Sequence, residues 1–150
     1  MSDAFSIRVV SVSPPAGSEA GGGAVGRITV REFEESFPMD LTYWSVEKYR
    51  ASWSQALRVL ERRDDATSCL ISSITDPSTS NFVFCWPLYR SQDLVYVQDS
   101  IIFLEGLDED FDPDEPWRFV EPRSTVAEEG HEISEWQTTV DEVRDFLHRV

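Results

Sequence analysis

The chain has 150 residues, with 28 Asp/Glu against 13 Lys/Arg and a formal net charge of −15. A field this one-sided repels nucleic acid and anionic lipid and speeds encounter with a basic partner. Its 5 Trp, 4 Tyr and 9 Phe exclude a disordered acidic chain, and no run approaching ~18 apolar residues offers a membrane-spanning helix.

The length suits one domain over residues 1–150, with enough apolar content for a real core. Met1 to Val12 carries neither a basic n-region nor a continuous apolar stretch, so a signal peptide is not expected and a cytoplasmic location is. Ser6 to Val12 reads as a strand. Ser13 to Ala24 is rich in Pro, Gly and Ser and reads as a mobile loop, and Arg27 to Phe33 alternates as the return strand. Ser45 is a natural N-cap for the clearest helix. There Val46, Tyr49, Trp53, Leu57 and Leu60 recur at three- and four-residue steps, and the helix should fade near Asp64.

Three β-rich runs follow, Thr67 to Thr75, Asn81 to Arg90 and Leu94 to Leu104. Their connections are too short for parallel crossovers, so these strands should pair antiparallel. Beyond an irregular stretch from Trp117 to Pro122, Glu132 to Thr138 looks like another strand. Val140 to Val150 reads as a short amphipathic helix with Val143, Phe146 and Leu147 inward. The predicted fold is α+β: an antiparallel sheet packed against one long helix, with a short C-terminal helix. Tyr43, Trp44, Trp53 and Trp86 are expected in its core.

Several motifs fail on context. Gly21-x-Gly23-x-x-Gly26 spells the dinucleotide fingerprint, but the segment after it is strand-like, so no helix N-terminus receives a pyrophosphate. Asp108, Asp110 and Asp112 open like an EF-hand, yet Pro113 replaces the turn-making Gly and Phe119 stands where the bidentate Glu belongs. Cys69 and Cys85 have no Cys or His at zinc-ligand spacing and read as free buried thiols. His131 and His148 have no activating Ser or Cys beside them. No catalytic residue, metal or cofactor is expected.

The charge is uneven. From Glu105 to Val150 there are 15 Asp/Glu and 4 Lys/Arg, and seven of the eleven residues from Glu105 to Glu115 are acidic. Phe111 and Trp117 lie in and just beyond that run, and Pro113 and Pro116 stiffen it. Acidic side chains interleaved with aromatics and prolines suggest a shaped contact surface. Asp108, Glu109, Asp110, Phe111, Asp112, Asp114, Glu115 and Trp117 are therefore the candidate binding residues.

Phe33-Glu34-Glu35-Ser36-Phe37-Pro38-Met39-Asp40-Leu41, then Tyr43-Trp44-Ser45 and the Tyr49/Trp53 helix, resemble the immunity proteins of bacterial contact-dependent growth inhibition systems. So do Ile74-Thr75-Asp76-Pro77, Trp86-Pro87-Leu88-Tyr89-Arg90, Val95-Tyr96-Val97-Gln98, Phe119-Val120-Glu121-Pro122-Arg123, and the segment from Gly130 to Trp136. The resemblance runs from Arg27 to Trp136. It departs at Cys85-Trp86, where such families often carry paired tryptophans. It implies a cytosolic, non-enzymatic protein that binds the toxic C-terminal domain of a cognate effector and blocks its active site. Many such toxins are nucleases, whose basic clefts for phosphate an acidic inhibitor can occupy; a ribonuclease is the expected target. Two alternatives stand beside it: a small hydrolase using carboxylates, and an acidic adaptor or chaperone for a basic protein.

Overall fold

The computed structural model describes residues 4–13, 23–126, 130 and 132–149. The middle of the Pro/Gly/Ser tract, His131 and Val150 lie outside them. Strands β1 (Phe5–Ser13), β2 (Gly23–Val30) and β3 (Phe33–Asp40) form an antiparallel sheet in that order. Helix α1 (Val46–Val59) follows. A second antiparallel sheet takes β4 (Thr67–Ser73), β5 (Phe82–Ser91), β6 (Leu94–Gln98) and β8 (Glu135–Thr139), with β7 (Ser100–Phe103) pairing β5 beyond the end of β6. Helix α2 (Val140–Arg149) closes the described chain. The class is the expected α+β, but with two sheets instead of one.

Helix α1 starts where expected, with Ser45 Oγ accepting the Lys48 backbone N–H at 3.2 Å. Its periodic stripe buries Tyr49, Trp53, Ala56 and Leu57, and α1 lies on β4. Two polar links fix that packing: Trp53 Nε1–H donates to the Ile71 carbonyl at 2.8 Å, and Ser68 Oγ donates to the Ala56 carbonyl at 2.6 Å. The Tyr49 hydroxyl donates to the Asp40 carbonyl and accepts from the Ile74 N–H, tying the end of β3 to the end of β4; burial pushes its pKa up to about 12.

The sheets meet through aromatics. Phe33 stacks on Trp136 with centroids 3.7 Å apart, and Phe33 and Phe37 both reach Trp86. Gly26 is explained here: a Cβ on it would lie 2.5 Å from the Phe37 ring, so the position needs glycine for close packing inside β2. Helix α2 buries Val140, Val143, Phe146 and Leu147, and Phe146 packs edge-on against Phe5 of β1. Cys69 and Cys85 are free and fully buried as expected, and burial pushes the Cys69 thiol well up, which leaves little reactive thiolate.

Four expectations are corrected. The ends of the Ser13–Ala24 stretch are strand, since Ser13 ends β1 and Gly23 and Ala24 open β2; residues 14–22 lie outside the described residues. The return strand ends at Val30, and Phe33 begins a third strand after a two-residue turn at Arg31-Glu32. Arg31 takes a left-handed φ of 57° there, and its guanidinium meets Glu142 of α2 at 2.5 Å, an anchor outside the turn itself. The run from Leu94 to Leu104 is two strands, β6 and β7, divided at Asp99. Tyr43 is 41% exposed rather than core, while Trp44, Trp53 and Trp86 are buried.

Arg123 and Gln98 hold Glu135 at the start of β8: Arg123 reaches both carboxylate oxygens at 2.7 and 2.8 Å, and Gln98 Nε2 donates at 2.8 Å. These partners, Arg123 first, keep the Glu135 carboxyl below the usual glutamate range. Its stabilising contribution is therefore complete above the ordinary glutamate pKa of ~4.3 and is lost as pH falls through the lower folded value. Glu135→Gln should be less stable than the unmodified protein in urea unfolding at about pH 7, and the gap should close toward about pH 3. A gap constant across that range would refute the assignment.

Candidate functional site

The acidic segment leaves β7 at Phe103 and is held from beneath. The Leu104 N–H donates to the Asn81 carbonyl at 2.9 Å, and Gly106 turns the chain with φ 86°. Asp112 Oδ1 accepts the Asp114 N–H at 2.9 Å and its carbonyl accepts the Glu115 N–H, closing a turn that leads into a short 3₁₀ turn at Pro116–Phe119, where the Arg118 N–H donates to the Glu115 carbonyl. That turn packs on β4. Pro116 is buried, Phe111 and Phe119 touch with centroids 5.0 Å apart, and the Arg62 guanidinium sits over half-buried Trp117. At the far end the Tyr89 hydroxyl donates to the Glu121 carbonyl at 2.8 Å.

The charges divide into two groups. Arg118 takes Glu109, Asp112 and Glu115 around its guanidinium, and Lys48 of α1 reaches Asp114 at 3.2 Å. Such part-exposed pairs contribute at most about 1 kcal/mol each, but together they fix the shape of the loop. Asp108 and Asp110 are exposed. With Glu109 and Phe111 they line an open groove of about 550 Å³, whose opposite wall includes Tyr43 and Asp76. The Asp76 carboxylate accepts the Ser78 N–H and hydroxyl, which keep its pKa below the usual range.

The eight candidate residues thus serve three roles. Asp108, Glu109, Asp110 and Phe111 come together at the groove; Asp112, Asp114 and Glu115 brace the loop through Arg118 and Lys48; Trp117 turns to Arg62. Sequence reading missed Tyr43 and Asp76, which arrive from the β3–α1 and β4–β5 connections with no local signal. It also missed Arg118 as the brace, although Glu115 and Arg118 stand at the i,i+3 spacing that invites a pair.

Fold and site together define a small acidic α+β protein that holds exposed carboxylates on a braced loop. Residues 39–146 match the family model described as the CdiI N-terminal domain. The chain is 38% identical over 122 residues to the immunity protein CdiI of Enterobacter cloacae subsp. cloacae, covering 81% of this chain and 82% of that protein. It also superposes on a chain of the CdiA-CT/CdiI toxin and immunity complex from Enterobacter cloacae with a TM-score of 0.84, 32% identity and 97% of each chain covered. The chain belongs to the CdiI family of immunity proteins from contact-dependent growth inhibition systems, and its function is inhibition, not catalysis.

Proposed function

We propose that this protein binds the C-terminal toxin domain of its cognate effector in the cytoplasm and neutralises it by covering a basic active-site region. The toxin is a nuclease, with ribonuclease the first choice. The observation that carries this reading is the braced acidic loop. Arg118 and Lys48 spend their charge inside the loop, and the exposed Asp108 and Asp110 are left to a partner. A nuclease cleft is basic because it must hold phosphates, so fixed carboxylates are complementary to it. The same field disfavours nucleic acid and membrane surfaces as partners, and the inhibition requires no cofactor.

The test is coexpression with the toxin domain of the cognate effector. The two proteins should copurify, and purified complex should leave RNA intact where free toxin cleaves it. Toxin that remains fully active with an excess of this protein would sink the proposal. Cleavage of DNA instead of RNA would remove the ribonuclease assignment alone.

A further inference from the structure

Strand β5 is longer than its neighbours, and one of its faces is covered along only part of its length. Phe82, Phe84 and Trp86 alternate onto that face. Trp86 is buried against Phe33 and Phe37 of the first sheet. Phe82 and Phe84 are each 42% exposed, with rings 5.1 Å apart. Directly across from them on β7 stand Phe103 and Ile101, 64% and 40% exposed. Four large apolar side chains in two adjacent cross-strand pairs make a continuous patch, and such patches on soluble proteins mark contact sites.

We infer that the Phe82–Phe84–Ile101–Phe103 patch is the apolar centre of the surface that docks a basic protein domain, the acidic loop being its rim. The inference rests on the proposed function and adds the part of the surface that holds the complex together. Charge selects the occupant. Two residues past Phe103 the chain reaches exposed Glu105 and then exposed Asp108, Glu109 and Asp110, so carboxylates follow on from the Phe103 end of the patch. An apolar centre edged by carboxylates fits a partner surface of apolar side chains flanked by Lys and Arg. A second copy of this chain fits poorly, because a two-fold contact would set the acidic edges of two molecules at −15 each against one another. A desolvated apolar centre governs how slowly a complex comes apart, whereas rim charges govern how fast it forms.

The experiment measures association and dissociation of the toxin domain with the unmodified protein, with Ile101→Thr/Phe103→Thr, and with Phe103→Thr alone. Thr keeps the strand preference and the net charge. The single variant changes only the most exposed of the four residues, and circular dichroism with thermal unfolding checks that both variants stay folded. Dissociation from the double variant should be faster by on the order of thirtyfold, and from the single variant by a smaller factor, with association rates and their salt dependence unchanged. Folded variants that release toxin at the unmodified rate would overturn this inference and leave the proposed function standing. No binding by the unmodified protein would overturn both. A concentration-dependent dimer of the free protein, abolished by the double variant, would assign the patch to self-association and overturn the inference.

Discussion

Trp53→Ala should lower the unfolding free energy by about 3–5 kcal/mol, the cost expected for removing a fully packed aromatic from a core. The indole is 3% exposed, sits between Tyr49 and Phe37, and donates its N–H to the Ile71 carbonyl. Truncation therefore opens a cavity where α1, β3 and β4 meet and leaves a strand carbonyl without its partner. Trp53→Phe separates the two costs. It keeps most of the ring volume and loses the hydrogen bond, so it should lose only about 1–3 kcal/mol. Denaturant unfolding of the three proteins measures both values. Equal stability of Trp53→Ala and the unmodified protein would mean that the helix does not dock through this residue.

Asp108→Lys/Asp110→Lys should slow toxin association about tenfold or more at low salt without changing stability. Both side chains are exposed, so their exchange costs the fold little, while the double change shifts the field by four charges at the groove. Asp112 is left in place because it caps the turn at Asp114 and faces Arg118. Association of the unmodified protein should fall steeply as salt approaches physiological strength, where the screening length is about 8 Å, and the variant should lose most of that dependence. In cells it should accumulate normally and protect poorly. An association rate unchanged by the double reversal would mean that the groove faces solvent in the complex and that the encounter surface lies elsewhere. Read with the β7 variants, the expected results assign the rates separately: the acidic loop to formation of the complex, the apolar patch to its lifetime.

Much of the architecture follows from local pattern. The α1 stripe, the Ser45 cap, the inward face of α2 and the antiparallel pairing of β4, β5 and β6 are each written in a few consecutive residues. Side-chain period and connection length report such features directly. The turn before β3 was illegible because Arg31-Glu32 contains no Gly, Asn or Asp, and the left-handed Arg31 is anchored by Glu142, 111 residues away. Strand β3 itself hides behind Glu34, Glu35, Ser36 and Pro38, a polar face and a proline that its place at the edge of the first sheet accommodates.

The acidic run and its aromatic and proline content were readable, since charge and composition need no fold to be counted. Which carboxylates face outward was not readable. That division is made by Lys48 arriving from α1 and by Arg118 turning back on its own loop. Burial shows the same limit. Trp86 and Phe84 lie two residues apart on one face of β5, yet only Trp86 is covered by the first sheet. By itself the sequence determined both helices and most of the strands, that the chain is strongly acidic, and where that acidity concentrates, because these depend on neighbouring residues and on composition. Only the tertiary structure decided that there are two sheets, that Tyr43 and Asp76 join the groove, and that an apolar end of β5 stays uncovered. Those depend on contacts between residues far apart in the chain, whose closure no local pattern records.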